Sequence, residues 1–270
     1  MIETIKKESS AKIALLLLVI LTVWWVLLNL SGLKEELHNY LFGASYGLMA
    51  VLGGVVGIRI AQHWGGLKSV MGKAILLLSF GLLAQEFGQL VFSYYNVFLH
   101  VQVPYPSLAD IGFFGNIPLY TLGILLLAEA SGVHFLLNKL SGKIQAVVIP
   151  AILLSFSYFF FLQEYEFDWT NPLKIFLDFG YPLGQAFYVS LAFLTYSLSK
   201  GVLGGIMKNK ILFLLFALVI QYLADYNFLF QSSNGTWLNG SYGDYLYLLA
   251  YFFMTIGIIQ LNTVLKKMKG

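Results

Sequence analysis

The chain is 270 residues long, with 59% apolar residues, 11% charged residues and a mean hydropathy of +0.77. Soluble domains run near ~45–50% apolar and ~25% charged, so these values exclude an ordinary water-soluble fold and predict an integral membrane protein. The absence of cysteine excludes disulfides, thiolate nucleophiles, iron–sulfur clusters and cysteine-ligated zinc.

The opening "MIETIKKESSAK" is polar and runs into an apolar stretch at 13–31. That stretch is too long for a signal-peptide core and no small-residue cleavage site follows it, so it is expected to be the first span. Further apolar runs follow at 40–62, 74–97, 109–129, 145–163, 175–198, 211–231 and 244–265. Each is close to the ~20 residues needed to cross a ~30 Å hydrocarbon core. The predicted fold is therefore an all-α integral membrane protein in which eight transmembrane helices form four sequential hairpins within one transmembrane domain, 1–270. The starts "AKIALLLL", "GKAILLLS", "GKIQAVVI" and "NKILFLLF" suggest hairpin repeats over about 1–70, 71–135, 136–207 and 208–270.

Basic residues set the expected orientation. With a cytoplasmic N-terminus, the inner side collects Lys6, Lys7, Lys12, Arg59, Lys68, Lys73, Lys139, Lys143, Lys200, Lys208, Lys210, Lys266, Lys267 and Lys269. Only Lys34 and Lys174 fall outside, so fourteen of the sixteen basic residues obey the positive-inside rule, with both termini cytoplasmic and the protein in the cell's inner, cytoplasmic membrane. The net charge of +3 thus records topology and gives no reason to expect nucleic acid. Membrane lipid is the expected surrounding.

Polar residues concentrate toward the outer halves of the helices. Glu86 lies thirteen residues past Lys73 and Asp225 fifteen past Lys210, which puts both roughly 20 Å above the inner surface at a 1.5 Å rise. A carboxylate facing lipid near the bilayer centre costs at least ~2.5–3.5 kcal/mol, so both should point into the bundle. Asp178, Tyr181, Gln185 and Tyr188 share one helical stripe, and Asp244, Tyr247, Tyr251 and Thr255 share another. Glu86, Gln89 and Ser93 make a third stripe, and Gln221 with Asp225 a fourth. Together they predict a polar, tyrosine-lined cavity open to the outside, with Glu86, Gln89, Asp110, Asp178, Tyr181, Gln185, Asp225, Asp244, Tyr247 and Tyr251 as candidate ligand-binding residues. The competing account is structural: interfacial tyrosines, glutamine and serine bonding between helices, and carboxylates satisfied by Lys174 or a backbone amide.

Chemistry-bearing motifs are sparse. His38 and His100 read as outer-loop residues, and His63 and His134 as residues of the inner interface, none mid-helix where a membrane haem ligand is usually found. The last helix has no lysine before Lys266, so a retinal Schiff base is missing, and no nucleotide, metalloprotease or serine-hydrolase signature occurs. A non-enzymatic protein is expected, with no metal site and no cofactor assigned.

The stretch "PSLADIGFFGNIPLYTLGILLL" at 106–127 carries its own signals. Ser107 reads as an N-cap, Asp110 as a first-turn carboxylate favoured by the helix dipole, and Pro118 as a kink, with Gly115 and Asn116 allowing close approach. In this form, Pro-Ser-x-Ala-Asp followed by an aromatic and a proline-leucine pair, it resembles the polytopic membrane input regions of bacterial diguanylate cyclases and related signalling proteins. The resemblance implies a sensor of a small ligand. No GGDEF, kinase or phosphodiesterase portion follows "LKKMKG", so output is expected in a partner membrane protein or a separate cytoplasmic protein. The alternatives are a small proton- or cation-coupled transporter or an assembly subunit of a membrane complex, and last a lipid-modifying intramembrane enzyme. Against a transporter, the inner half of the bundle carries almost no intramembrane polar residues.

Overall fold

A computed structural model describes residues 1–32, 34, 36–130, 139–199 and 205–269. Of the residues singled out above, His134 and Lys200 lie outside the described set. No strand occurs among the described residues. A short N-terminal helix, α1 (Ile2–Lys7), precedes α2 (Ser9–Leu30), and α3 (Leu37–Ser45) is followed after a two-residue break by α4 (Leu48–His63). Next come α5 (Val70–Ser93), α6 (Ala109–Ala130), α7 (Leu140–Ser157), α8 (Pro172–Ser199), α9 (Gly205–Ser233) and α10 (Tyr242–Lys269). Wider π-helical turns, Tyr94–Leu99 and Tyr158–Leu162, extend α5 and α7.

Among the described residues, seven segments are long and apolar enough to cross a membrane: Ser9–Leu30, Leu37–His63, Val70–Leu99, Ala109–Ala130, Leu140–Leu162, Asn209–Ser233 and Tyr242–Lys266. The chain is thus a multi-pass membrane protein. Helix α8 is 28 residues long, about 42 Å at 1.5 Å per residue, but Lys174, Asp178, Pro182 and Gln185 interrupt its apolar character.

Two differences from the expected elements have local causes. The opening residues form α1, whose last turn is followed by Glu8. The single span expected at 40–62 is broken at Tyr46–Gly47. There Gln89 of α5 donates to the carbonyl of Gly43 at 2.8 Å and accepts from the hydroxyl of Tyr46 at 3.0 Å. An α5 side chain therefore supplies bonds at the end of α3, where backbone groups would otherwise go unpaired. A Cβ on residue 47 would collide with the carboxyl group of Glu86, so any other residue there would have to push that side chain aside.

Helix contacts close a ring in the order α4, α5, α6, α8, α9, α10 and back to α4. Outside it, α2 packs mainly on α10 and α7 on α8. These two outer helices expose leucine, isoleucine, valine and phenylalanine along their length, the surface that lipid covers. The tightest seam joins α5 to α6, where a Cβ on Gly112 would run into the backbone of Ala84 and Gly88. Gly115, expected to serve this purpose, has nothing within 4 Å. It lies three residues further along the helix, only about 60° around the axis from Gly112, and the close approach does not reach it. In α8 the carbonyl of Pro182, a proline inside the helix, accepts bonds from Ser157 (3.0 Å) and Tyr226 (3.1 Å).

The two ends of the ring differ. At one end, Glu8 accepts from Asn262 at 3.1 Å and pairs with Lys266 at 2.7 Å, so the start of α2 meets the end of α10. The core on that side is aliphatic and closed, with Ile75, Leu78, Ile211, Leu214, Ile258 and Leu261 fully buried. The opposite end carries the connections 100–108, 163–171 and 234–241, and there the polar residues collect.

Candidate functional site

A cavity of about 470 Å³ opens at the loop-rich end, walled by α5, α6, α8, α9 and α10. A second hollow of about 490 Å³, formed by the connections around His100 and Gly235, shares Phe92, Val103, Phe228, Ser232 and Trp237 with it. The two make a vestibule and an inner chamber.

Asp225 of α9 lines the inner chamber. It is 3% exposed. Its Oδ1 accepts from Gln221 Nε2 and the Tyr247 hydroxyl, both at 3.0 Å, and its Oδ2 accepts from the Tyr188 hydroxyl at 3.1 Å. Gln85 of α5 adds a further bond. Three helices besides its own therefore hold this carboxylate, all through neutral donors. Around it Tyr46, Tyr247 and Tyr251 pack at ring distances of 6.0–6.2 Å, and Tyr120 meets Tyr188 edge-on at 5.8 Å.

The start of α6 supplies the second carboxylate. Ser107 Oγ accepts from the Ala109 amide at 3.2 Å, while Asp110 Oδ2 accepts from the Ser107 amide at 2.7 Å, so each side chain satisfies an orphan amide of the first turn. Asp110 Oδ1 remains for Tyr181, which donates at 2.6 Å from α8. The cap thereby ties α6 to α8 across the cavity rim.

Asp178 lies nearer the mouth in a different setting. Tyr105 donates to Oδ1 at 2.8 Å, and Tyr165 (2.7 Å) and Lys174 Nζ (2.6 Å) both bond Oδ2. The Lys174 ammonium sits between the Tyr105 and Tyr165 rings, 5.8 and 5.9 Å from their centroids, within cation–π range. Burial first, then the Asp178 bond, pushes the Tyr165 hydroxyl up to about 12 and raises that of Tyr105 as well. Both loop tyrosines stay protonated donors at neutral pH. In the same connection, hydrogen bonds from Thr170 hold the exposed Asp168 carboxyl below its ordinary value.

Asp244 opens α10 and accepts from the Gly240 amide at 2.6 Å. The Asn-Gly pairs before it are turns, with Gly235 and Gly240 at φ of 64° and 72°, a backbone region glycine enters at little cost.

Nine of the ten residues singled out from the sequence line this cavity: Gln89, Asp110, Asp178, Tyr181, Gln185, Asp225, Asp244, Tyr247 and Tyr251. Glu86 does not. Gln85 and Gln89, one turn apart, turn the cavity face of α5 inward, and Glu86, about 100° around the helix from Gln85, packs against Gly47 instead. It is 4% exposed and its Oε2 has no hydrogen-bond partner among the described residues. Among the lining residues that sequence reasoning did not assign to the site are five with a polar group that can bond an occupant, Tyr46, Gln85, Tyr105, Tyr165 and Trp237. Gln85 was recoverable from its i, i+4 spacing to Gln89. The other four come from connections or from the helix break, where periodicity says nothing.

Fold and cavity together define a multi-pass helical membrane protein with a ligand-sized chamber at one end. A scan against protein-family models, a search of curated proteins and a search of solved structures each find no match for the chain. The chamber's chemistry therefore rests on its own residues.

Proposed function

We propose that the protein is a non-enzymatic membrane sensor whose cavity faces outward, binds a small ligand and relays its occupancy to the cytoplasmic side. The observation that carries this reading is a chamber of about 470 Å³ built jointly by five helices, within the ~300–1,000 Å³ typical of small-molecule sites. In this reading α8 crosses as the eighth span, giving four hairpins, and both termini are cytoplasmic. The fourteen-to-two basic split and the Glu8–Lys266 pairing of the two chain ends support that orientation.

The relay runs along α10. Its first turns carry Asp244, Tyr247 and Tyr251 at the cavity, and its far end holds Glu8 through Asn262 and Lys266. A ligand that shifts α10 relative to the ring would move that contact, where a separate cytoplasmic output protein or a partner membrane protein would read it. The likeness of the 106–127 stretch to diguanylate-cyclase input regions fits such a role. A carrier is less well supported, because the described core beneath the tyrosines is mostly aliphatic, with only a few buried polar side chains such as Ser79, Thr255 and Gln260.

Because the chain lacks cysteine, Ser232→Cys at the cavity mouth gives a single-site probe. A membrane-impermeant maleimide should label it on intact cells, and a reporter fused after Gly270 should be cytoplasmic. Labelling only in inverted vesicles would defeat the orientation. A broad small-molecule library that neither slows labelling nor shifts melting would defeat the binding function.

A further inference from the structure

We infer that the ligand is an organic cation carrying N–H groups, a protonated amine or a guanidinium, held between the carboxylates and tyrosine rings of the inner chamber. The inference rests on the ligand-binding reading above and names the class of ligand. Four carboxylates line the chamber, Asp110, Asp178, Asp225 and Asp244, against a single basic residue, Lys174. Lys174 is already committed to Asp178 at 2.6 Å. Asp225 and Asp110 are held by hydroxyl, amide and backbone donors, and no ion pair reaches either one among the described residues. The chamber thus holds carboxyl groups with no cationic partner in a water-poor setting, where an entering cation that pairs with one of them gains most.

Two further features give the cation its character. Tyrosine and phenylalanine rings wall the space, including Tyr46, Tyr247, Tyr251, Phe92, Phe113 and Phe228, and ring faces attract ammonium and guanidinium groups. Gln185, 5% exposed and part of the lining, keeps its Oε1 without a hydrogen-bond partner among the described residues. That oxygen is closed off from the chamber as the side chain stands, so the amide has to turn toward an occupant; it then takes a donor from it, which an N–H cation supplies and a quaternary ammonium does not. A bare metal ion fits poorly. No group of three or more metal-capable side chains converges among the described residues, and the volume is far larger than one ion needs.

The test uses the full chain in lipid nanodiscs and follows melting together with maleimide labelling of Ser232→Cys. The probes are phenethylamine, 1,4-diaminobutane and agmatine, with 2-phenylethanol and phenylacetate as neutral and anionic shape controls for the first. At least one cation should stabilise the protein and slow labelling, at least about tenfold more tightly than the matched controls, a difference well within the reach of one desolvated charge pair. Asp225→Asn should abolish that response, and phenethylamine trimethylated at nitrogen should bind at least about tenfold more weakly than the primary amine, since it leaves the amide acceptor unpaired. If Asp225→Asn fails to fold, the charge series on the unaltered residue decides alone. Equal or tighter binding of the neutral or anionic control, or a library hit of either class with all three cations silent, overturns the cationic assignment and leaves ligand binding standing. Equal binding of the trimethylated form overturns the N–H requirement. Silence of every compound overturns both this inference and the function beneath it.

Discussion

The α5–α6 seam lends itself to a matched pair of substitutions. Gly112→Ala places a methyl group 2.8 Å from the Cα of Gly88 and closer still to the Ala84 carbonyl oxygen and the Gly88 amide nitrogen. All three are backbone atoms of α5, which cannot rotate away as a side chain can, so relief requires the two helices to separate. Gly115→Ala makes the same chemical change in the same helix with nothing within 4 Å. The gain in helix propensity, up to ~1 kcal/mol for glycine to alanine, is common to both and cancels in the comparison. What remains is the overpacking cost, typically ~1–3 kcal/mol. Gly88→Ala should fall between them, because its Cβ would meet the Phe113 ring at 2.6 Å, and a ring can turn. Equilibrium unfolding of the three variants in mixed micelles gives the ranking directly. Because α5 and α6 bring Gln85 and Gln89 opposite Asp110, Gly112→Ala should also blunt any ligand response of the cavity. Equal stability of Gly112→Ala and Gly115→Ala would refute the claim that this seam is closed at backbone contact.

Other substitutions test the polar contacts. Gln89→Leu strips the buried Tyr46 hydroxyl and the Gly43 carbonyl of their partner and should cost about 1–3 kcal/mol in the same unfolding assay, the desolvation cost of a buried polar group left unpaired. Tyr105→Phe should cost less than about 1 kcal/mol, since Asp178 keeps Tyr165 and Lys174 and one net hydrogen bond is worth about that much; a loss of several kcal/mol would mean that the cluster acts as an indivisible unit. Glu8→Gln should be nearly neutral, because the Lys266 side chain is 61% exposed and returns to water, and exposed pairs contribute about 0–1 kcal/mol. Glu8→Ala should be the more harmful of the two, since it also removes the acceptor for Asn262. Thr170→Val should raise the Asp168 carboxyl toward its ordinary value by removing the hydroxyl that bonds it, as read by NMR titration of the side chain.

The sequence by itself determined what depends on composition and on neighbours along the chain. Apolar runs located the helices, because a segment that must satisfy its own backbone in lipid has few alternatives to a helix about 20 residues long. Local chemistry located the Ser107–Asp110 cap. Helical stripes of tyrosine, glutamine and aspartate led to most of the cavity wall, since polar residues on an apolar helix point away from lipid whatever their neighbours are. Tertiary structure decided which helices touch. Lipid and protein interior are similarly apolar, so a helix such as α2 or α7, greasy on every side, gives no sign in its sequence that it belongs outside the ring. The same cause hid the seam at Gly112, whose role exists only because Gly88 of another helix stands against it. Glu86 and Gln85 differ by one position, and choosing which of them faces the chamber took the rotation of α5, fixed by its contacts with α4 and α6. The break at Tyr46–Gly47 was likewise beyond local reading, because its stabilising partner, Gln89, lies more than forty residues away along the chain.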